Sequence, residues 1–306
     1  MKFTPLILFS LLFATPSTFA NSAHCGDEGI WIEILGAGSG ELSDGQGPPS
    51  FLLWQDNVAR LIIDTGSGSS VGFDRSGADI NDIEAIALTQ LHVDNSVDLP
   101  AYLAGALTAD RSNNLTILGP DSNTPEFADT EAFLQRLIGD QGAFPHLSGL
   151  LRASAPDGFR VKVANVPAVG SRKWARYRSP NIRLTAVPVQ HANVPTIAWR
   201  VEIGGQVAVF AGDFNNDKNI IGTFAAGADA LVASHAIPEA SRGALREAFA
   251  LPSELGKVAA AADARMLILA HRTNRTRGRE SLSRAAIEKS YGGSVLFAND
   301  GECWGL

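Results

Sequence analysis

The sequence predicts an α/β fold in which sheet layers are covered by helices, and two observations carry that prediction. Short apolar runs alternate with amphipathic stretches through both halves of the chain, from about Ile30 to Gly301. Polar residues of metal-binding type, His92, His191, Asp213 and His271, each follow within a few residues of such a run. No internal repeat or linker-like segment divides the chain, so residues 21–306 read as one domain. With 306 residues and 45% hydrophobic content, the chain can bury a sizeable core.

Taken in order, Ile30 to Leu35 reads as a strand that ends in Gly36-Ala37-Gly38-Ser39-Gly40. That glycine run lacks the following helix and strand context of a dinucleotide cradle. Ser50 to Trp54, Val58 to Ile63 and Ile83 to Leu88 read as strands, the second closing on Asp64-Thr65-Gly66. Ser96 to Ala109 reads as a helix, Leu115 to Leu118 as a strand, and Thr124 to Ile138 as a helix by its apolar spacing. Residues 140–180 are the least regular, broken by Pro145, Pro156, Pro167 and Pro180. Lys173, Trp174, Arg176, Tyr177 and Arg178 cluster there. The simpler reading is an exposed loop with ordinary charges; the sharper one is a lid offering cations and stacking rings to an anionic substrate.

Ile182 to Val189 reads as a strand delivering His191. Thr196 to Ile203 and Gln206 to Ala211 form a hairpin about Gly204-Gly205 and run out at Asp213. Ala230 to Ala233 is a strand, Ser241 to Ala262 is mostly helical, and Met266 to Ala270 is a strand delivering His271. Ser294 to Ala298 is the last strand.

The first twenty residues have the form of a signal peptide: Lys2, the apolar run Pro5 to Phe13, then Thr18-Phe19-Ala20 as a cleavage site. The run is too short for a membrane anchor, and His24 stands where a lipid-attachment site before Cys25 would want a small residue. The expectation is a periplasmic or secreted protein without a membrane anchor. Losing Lys2 moves the net charge from −7 to −8, which argues against a nucleic-acid partner. The two cysteines, Cys25 and Cys303, read as a disulfide in an oxidising compartment, with two unrelated thiols as the alternative.

The segment Thr89-Gln90-Leu91-His92-Val93-Asp94-Asn95 carries the most information. It resembles the His-x-His-x-Asp-His loop of the metallo-β-lactamase superfamily, with Gln90 and Asn95 in place of the first and last histidines. Leu35 to Gly40 resembles the first strand and loop of the branch that contains tRNase Z-like phosphodiesterases and arylsulfatase-like hydrolases. Leu61 to Gly66 resembles its second motif, where Asp64 would support the ligand loop from behind. His191, Gly212-Asp213 and His271 match the third, fourth and fifth motifs. The resemblance implies a four-layer αββα sandwich with its site at one edge of the two sheets.

It also implies the ligand sets. One metal would keep His92, His191 and Asp213, and the other Asp94, Asp213 and His271, with Gln90 and Asn95 as weak replacements. Amide oxygens bind zinc less well than imidazole. The expected cofactor is therefore zinc, one ion rather than two, with manganese or iron as alternatives. Asp94 and Asp213 would also orient the attacking water. The branch's proton-transferring histidine aligns with Phe249, and its usual acid is missing after Ala233-Ser234-His235, where His235 is the candidate substitute.

Two functions follow. The first is an exported hydrolase that attacks a small anionic ester, such as a phosphodiester or sulfate ester, with a metal-activated water. The second is a non-catalytic binding protein on the same fold. Retention of five ligand-type residues out of seven favours the first; loss of two ligands and of the acid favours the second.

Overall fold

The computed structural model describes residues 25–153 and 158–306. The expected signal peptide, residues 1–20, lies outside them. The first half supplies β1 (Ile30–Gly36), β2 (Ser50–Gln55), β3 (Val58–Ile63), β4 (Ala85–Ala87), β5 (Leu115–Pro120) and β6 (Val161–Val166). The second supplies β7 (Trp174–Arg178), β8 (Ile182–His191), β9 (Val194–Ile203), β10 (Gln206–Phe210), β11 (Ala230–Ser234), β12 (Met266–Ala270) and β13 (Ser294–Phe297). The last strand, β14 (Cys303–Gly305), returns to the first sheet beside β1.

The result is two seven-stranded sheets, ordered β14-β1-β2-β3-β4-β5-β6 and β13-β12-β11-β10-β9-β8-β7. In each sheet an antiparallel part joins a parallel part, which begins at β3 in the first sheet and β10 in the second. The helices α1 (Ser69–Ser76), α2 (Val93–Ser96), α3 (Leu99–Thr108) and α4 (Thr130–Ile138) belong to the first half. The helices α5 (Ile221–Phe224), α6 (Leu245–Ala248), α7 (Pro252–Ala261) and α8 (Glu280–Ile287) belong to the second.

Alternation along the strands explains the layering. Ile32, Ile34, Leu53, Leu61 and Ile63 face Leu184, Trp199, Val201 and Phe210 in a core between the sheets. Their neighbours Leu52, Trp54 and Ile62 point the other way, onto Leu99, Leu103 and Leu134 of the helices. On the second sheet Val209, Leu231 and Leu267 likewise meet Leu255, Val258 and Ile287. Three cores make four layers, the αββα sandwich expected from the sequence. The Trp199 indole N–H donates to the Leu88 carbonyl at 3.0 Å, and the Ile197 N–H to Thr89 O at 2.9 Å. These bonds tie the two sheets together just behind the Thr89–Asn95 loop.

Several elements differ from expectation for local reasons. The helix α4 begins at Thr130, not Thr124, because the Asp129 carboxylate caps it by accepting from the Ala132 N–H at 2.7 Å. The long helix expected over Ser241 to Ala262 is two short ones, since Pro252 holds Leu251 extended. Residues 161–178 contain two strands where irregular chain was expected. Both are outermost strands, where solvent replaces one neighbour and apolar alternation fades. The lid reading is corrected here: Trp174 packs on Trp199 with ring centroids 5.9 Å apart, and the Tyr177 hydroxyl donates to Glu84 O. Those rings are part of the sandwich and offer no face to a ligand.

Cys25 and Cys303 form a disulfide across 278 residues of sequence, as expected. It fastens the start of the described chain to β14. Among the described residues, no helix is long and apolar enough to cross a membrane.

Candidate functional site

The site lies beyond the carboxyl ends of β3, β4, β10, β11 and β12, where parallel strands leave backbone free and loops converge. Asp64 follows β3, Thr89 to Asn95 follows β4, Asp213 follows β10, Ser234 ends β11, and His271 follows β12. His191, at the end of β8, approaches from the antiparallel part of the second sheet. Asp64 (φ 57°) and His271 (φ 49°) both have left-handed backbones. That conformation is costly for a side-chain-bearing residue and needs firm support from its surroundings.

Two glycines permit the approach of these loops. A Cβ at Gly66 would lie 2.6 Å from Asp94 O and 2.7 Å from Pro48 O. Gly212 has φ 64°, and a Cβ there would crowd Ile197 O and Thr89 Cβ at 3.2 Å. Gly212 thereby lets Asp213 turn in beneath the loop.

Asp64 holds the loop by hydrogen bonds. It accepts from the Thr89 N–H and hydroxyl, each at 2.7 Å, and from the Asn95 amide at 3.1 Å. Burial pushes its pKa up to about 7 against those hydrogen bonds. Asp213 is more heavily engaged. Its Oδ2 accepts from Gln90 Nε2 at 2.8 Å, while its Oδ1 meets His271 Nδ1 at 2.7 Å and accepts from the Ser234 hydroxyl. The same Gln90 nitrogen donates to Asn95 Oδ1 at 3.0 Å.

Both ring nitrogens of His271 face carboxylates, since Nε2 lies 3.7 Å from Asp94 Oδ2. Burial would lower its pKa, but the Asp213 carboxylate outweighs burial and holds it at about 9. Reciprocally, burial would raise Asp213, yet the His271 cation and its hydrogen bond keep it well below the carboxylate range. His271 therefore donates from Nδ1 to Asp213, while its Nε2 stands at ion-pair distance from Asp94.

His191 donates from Nδ1 to Ala248 O at 2.9 Å and turns Nε2 toward Asp213 Oδ2, 3.8 Å away. His92, at the start of α2, stacks edge-on against His191 with centroids 5.8 Å apart. Burial lowers its pKa. The Phe249 ring sits between the two motif histidines, 5.1 Å from His191 and 6.0 Å from His271 by centroid. Phe249 is the extended residue that ends α6.

The structure therefore gathers His92, Asp94, His191, Asp213 and His271 at one sheet edge, together with Gln90, Asn95 and Asp64. His235 is a correction. Its ring is buried against Phe297 and meets the Ser283 hydroxyl at 2.8 Å, with no hydrogen bond into the cluster. Burial, aided by the Arg272 charge, lowers its pKa to about 4, so it holds no proton to give at neutral pH. The strand-end residue that does reach Asp213 is Ser234, which sequence reasoning passed over. Its signal was its place beside His235 at the end of an apolar strand, on the alternate face.

The donor set does not fit a metal pair as it stands. A metal needs lone pairs directed inward. Here Gln90 turns its nitrogen toward Asp213, and both Asp213 oxygens already meet hydrogen-bond donors, Gln90 on one and His271 and Ser234 on the other. Among the described residues, only Cys25, Glu33 and Cys303 bring three His, Cys, Asp or Glu ligand atoms within 4.8 Å of one another. Their two sulfurs are joined in the disulfide.

An open cleft of about 430 Å³ leads to the site, lined by Glu41, Leu42, Asp44, Val93, Asp94 and Val97 among others. Leu42, Val93 and Val97 are exposed on it. Its lining includes three carboxylates and no Lys or Arg.

Two sheets, helices on both outer faces and a motif cluster at the strand ends define the metallo-β-lactamase fold. A sequence profile of the beta-lactamase superfamily domain matches residues 59–272, and the chain belongs to that family. Its relatives fit the tRNase Z-like branch. The ribonuclease Z of Synechococcus sp. (strain CC9311) is 25% identical over 189 residues, which cover 61% of this chain and 52% of that protein. The ribonuclease Z of Metallosphaera sedula is 30% identical over 90 residues, 29% of this chain and 30% of that protein. The chain thus spans about half, or less, of the curated relatives it matches. Among solved structures, the metallo-β-lactamase fold protein YhfI of Bacillus subtilis superposes with a TM-score of 0.69 at 17% identity, covering 90% of this chain and 98% of that one. Human tRNase Z, short form, gives 0.67 at 17% identity with the same coverage. These two likenesses establish the fold.

Proposed function

We propose that this chain is a non-catalytic ligand-binding member of the superfamily, in which hydrogen bonds have taken over the structural work of the metals. One observation carries the reading: the Gln90 amide nitrogen stands between Asp213 Oδ2 and Asn95 Oδ1, at 2.8 and 3.0 Å. A cation between those groups would need oxygens or ring nitrogens facing it, and an N–H donor faces them instead. Phe249, wedged between two histidines, can neither give nor take a proton. The ligand would enter by the cleft above Asp94. The exposed Leu42, Val93 and Val97 on it favour a small, partly apolar molecule.

A second reading has its own support. His191 is held by Ala248 O in the tautomer that presents Nε2 inward, as metal-binding histidines are held. Five ligand-type residues remain together, and the relatives are named as ribonucleases. On that reading the chain is a hydrolase of a phosphodiester or related ester, with zinc as the superfamily's usual ion. It requires Gln90 to turn its oxygen inward and His271 to release a proton.

The test is elemental analysis of protein purified without chelators, beside hydrolysis of bis(p-nitrophenyl) phosphate. Less than about 0.2 metal per chain and no turnover after zinc or manganese supplementation are expected. One metal per chain with turnover would overturn the proposal in favour of the hydrolase.

A further inference from the structure

The two outermost strands β6 and β7, and the 167–173 connection between them, concentrate positive charge in a chain whose net charge is −7. Residues 158–183 contain Arg160, Lys162, Arg172, Lys173, Arg176, Arg178 and Arg183, and no Asp or Glu. Lys162, Arg172, Lys173, Arg176 and Arg178 are exposed. Among the described residues, Arg183 has a carboxylate partner, Glu202 at 3.3 Å, and the other six cations have none. Val169, 55% exposed, projects from the connection amid these charges.

One end of this edge is far from the motif cluster: in the β7–β8 register Arg178 pairs with Arg183, eight residues from His191, a strand distance of about 26 Å. Lys173 lies at the nearer end, beside Trp174, which pairs with Ala186. Blunting an open sheet edge against aggregation needs charge of either sign. Six unpaired cations with no intervening acid provide something more specific.

We propose that this edge docks on an anionic phospholipid bilayer. Three observations select that partner among polyanions. The three aromatic rings of the segment are turned inward, Phe159 into the helix-side core, Trp174 onto Trp199 and Tyr177 onto Glu84 O, which leaves no ring projecting to stack on nucleic-acid bases. On β7 the pairing is interrupted between Trp174 and Tyr177, which breaks the regular backbone row that an acidic peptide strand added there would need. An exposed aliphatic residue among Lys and Arg matches the shallow apolar insertion plus headgroup attraction of peripheral membrane proteins.

The experiment is vesicle co-sedimentation of the protein beginning at Asn21, which retains both sheets and the disulfide. Vesicles of phosphatidylglycerol and phosphatidylcholine in equal parts are compared with phosphatidylcholine alone. Binding at least tenfold stronger to the anionic vesicles is expected, with release in 0.5 M salt. The charge-reversed variant Lys162→Glu, Lys173→Glu, Arg176→Glu, Arg178→Glu should lose that preference while keeping the wild-type melting temperature. Val169→Asp should weaken binding several-fold. If the quadruple variant unfolds, single reversals at Lys173 and Arg176 serve, each lowering affinity with an unchanged melt. Equal binding to both vesicle types, no binding at 50 mM salt, or retention on single-stranded RNA or heparin without vesicle binding would each overturn the proposal.

Discussion

The side-chain amide of Gln90 donates to Asp213 across 123 residues of sequence, at 2.8 Å, both side chains being buried. The bond joins the first sheet's loop after β4 to the second sheet's loop after β10. A metal would normally join two such loops by drawing ligands from both. Here the joint is a neutral donor and a charged acceptor, supported by the Ser234 hydroxyl and the His271 cation.

If hydrogen bonds hold the joint, the fold should not depend on metal. The melting temperature in millimolar EDTA should match that in zinc within about 1 °C. A fall of several degrees in EDTA would show that a bound cation contributes folding energy.

Gln90→Leu should destabilise the protein by about 1–3 kcal/mol, because Asp213 and Asn95 Oδ1 each lose a donor in a buried setting. Urea unfolding of the variant measures this. A change near zero would mean that the amide is a bystander.

The double change Gln90→His, Asn95→His should rebuild metal affinity, giving close to two metals per chain and hydrolysis of nitrophenyl phosphodiesters. Adding Phe249→His should then raise the rate on poor leaving groups further, within the ~10²–10⁴-fold range of general acid catalysis. Metal stoichiometry and rates for the natural, double and triple forms decide the matter. A double variant with neither metal nor rate would show that the five retained residues cannot converge on an ion.

Acid should destabilise the protein through His235. Its folded pKa of about 4 lies below the ordinary 6.5, so the unfolded chain binds the proton first as pH falls. The stabilisation is complete above pH 6.5 and is lost between there and pH 4, by up to about 3 kcal/mol. His235→Gln should flatten that part of the stability–pH curve relative to wild type. Parallel curves for the two proteins would contradict the assignment.

Reducing the Cys25–Cys303 bond should lower stability by about 2–5 kcal/mol, since it closes a loop of nearly the whole domain. Melts with and without reductant, compared with Cys25→Ser, Cys303→Ser, measure the effect. The double serine variant should match the reduced protein.

The strands with apolar alternation were legible because burial on two faces leaves a period-two record, as in Leu52 and Leu53 pointing to opposite cores. The edge strands β6 and β7 left little such record, since Lys162, Arg176 and Arg178 face water. The helix break at Phe249 was half legible, through Pro252. Its consequence, a ring set between His191 and His271, was not.

The sequence by itself determined the α/β layering and the strand-end positions of His92, His191, Asp213 and His271, because periodicity and strand-end position are local properties. It also showed that two loop histidines were replaced. What the replacements do was decided by tertiary structure alone. Whether an amide presents its oxygen or its nitrogen depends on the groups opposite it, and those come from β10 and from the loop's own far end. The same holds for His235 and Ser234. Adjacent in sequence, they fall on opposite faces of one strand end, so one is buried beside Ser283 and the other bonds Asp213.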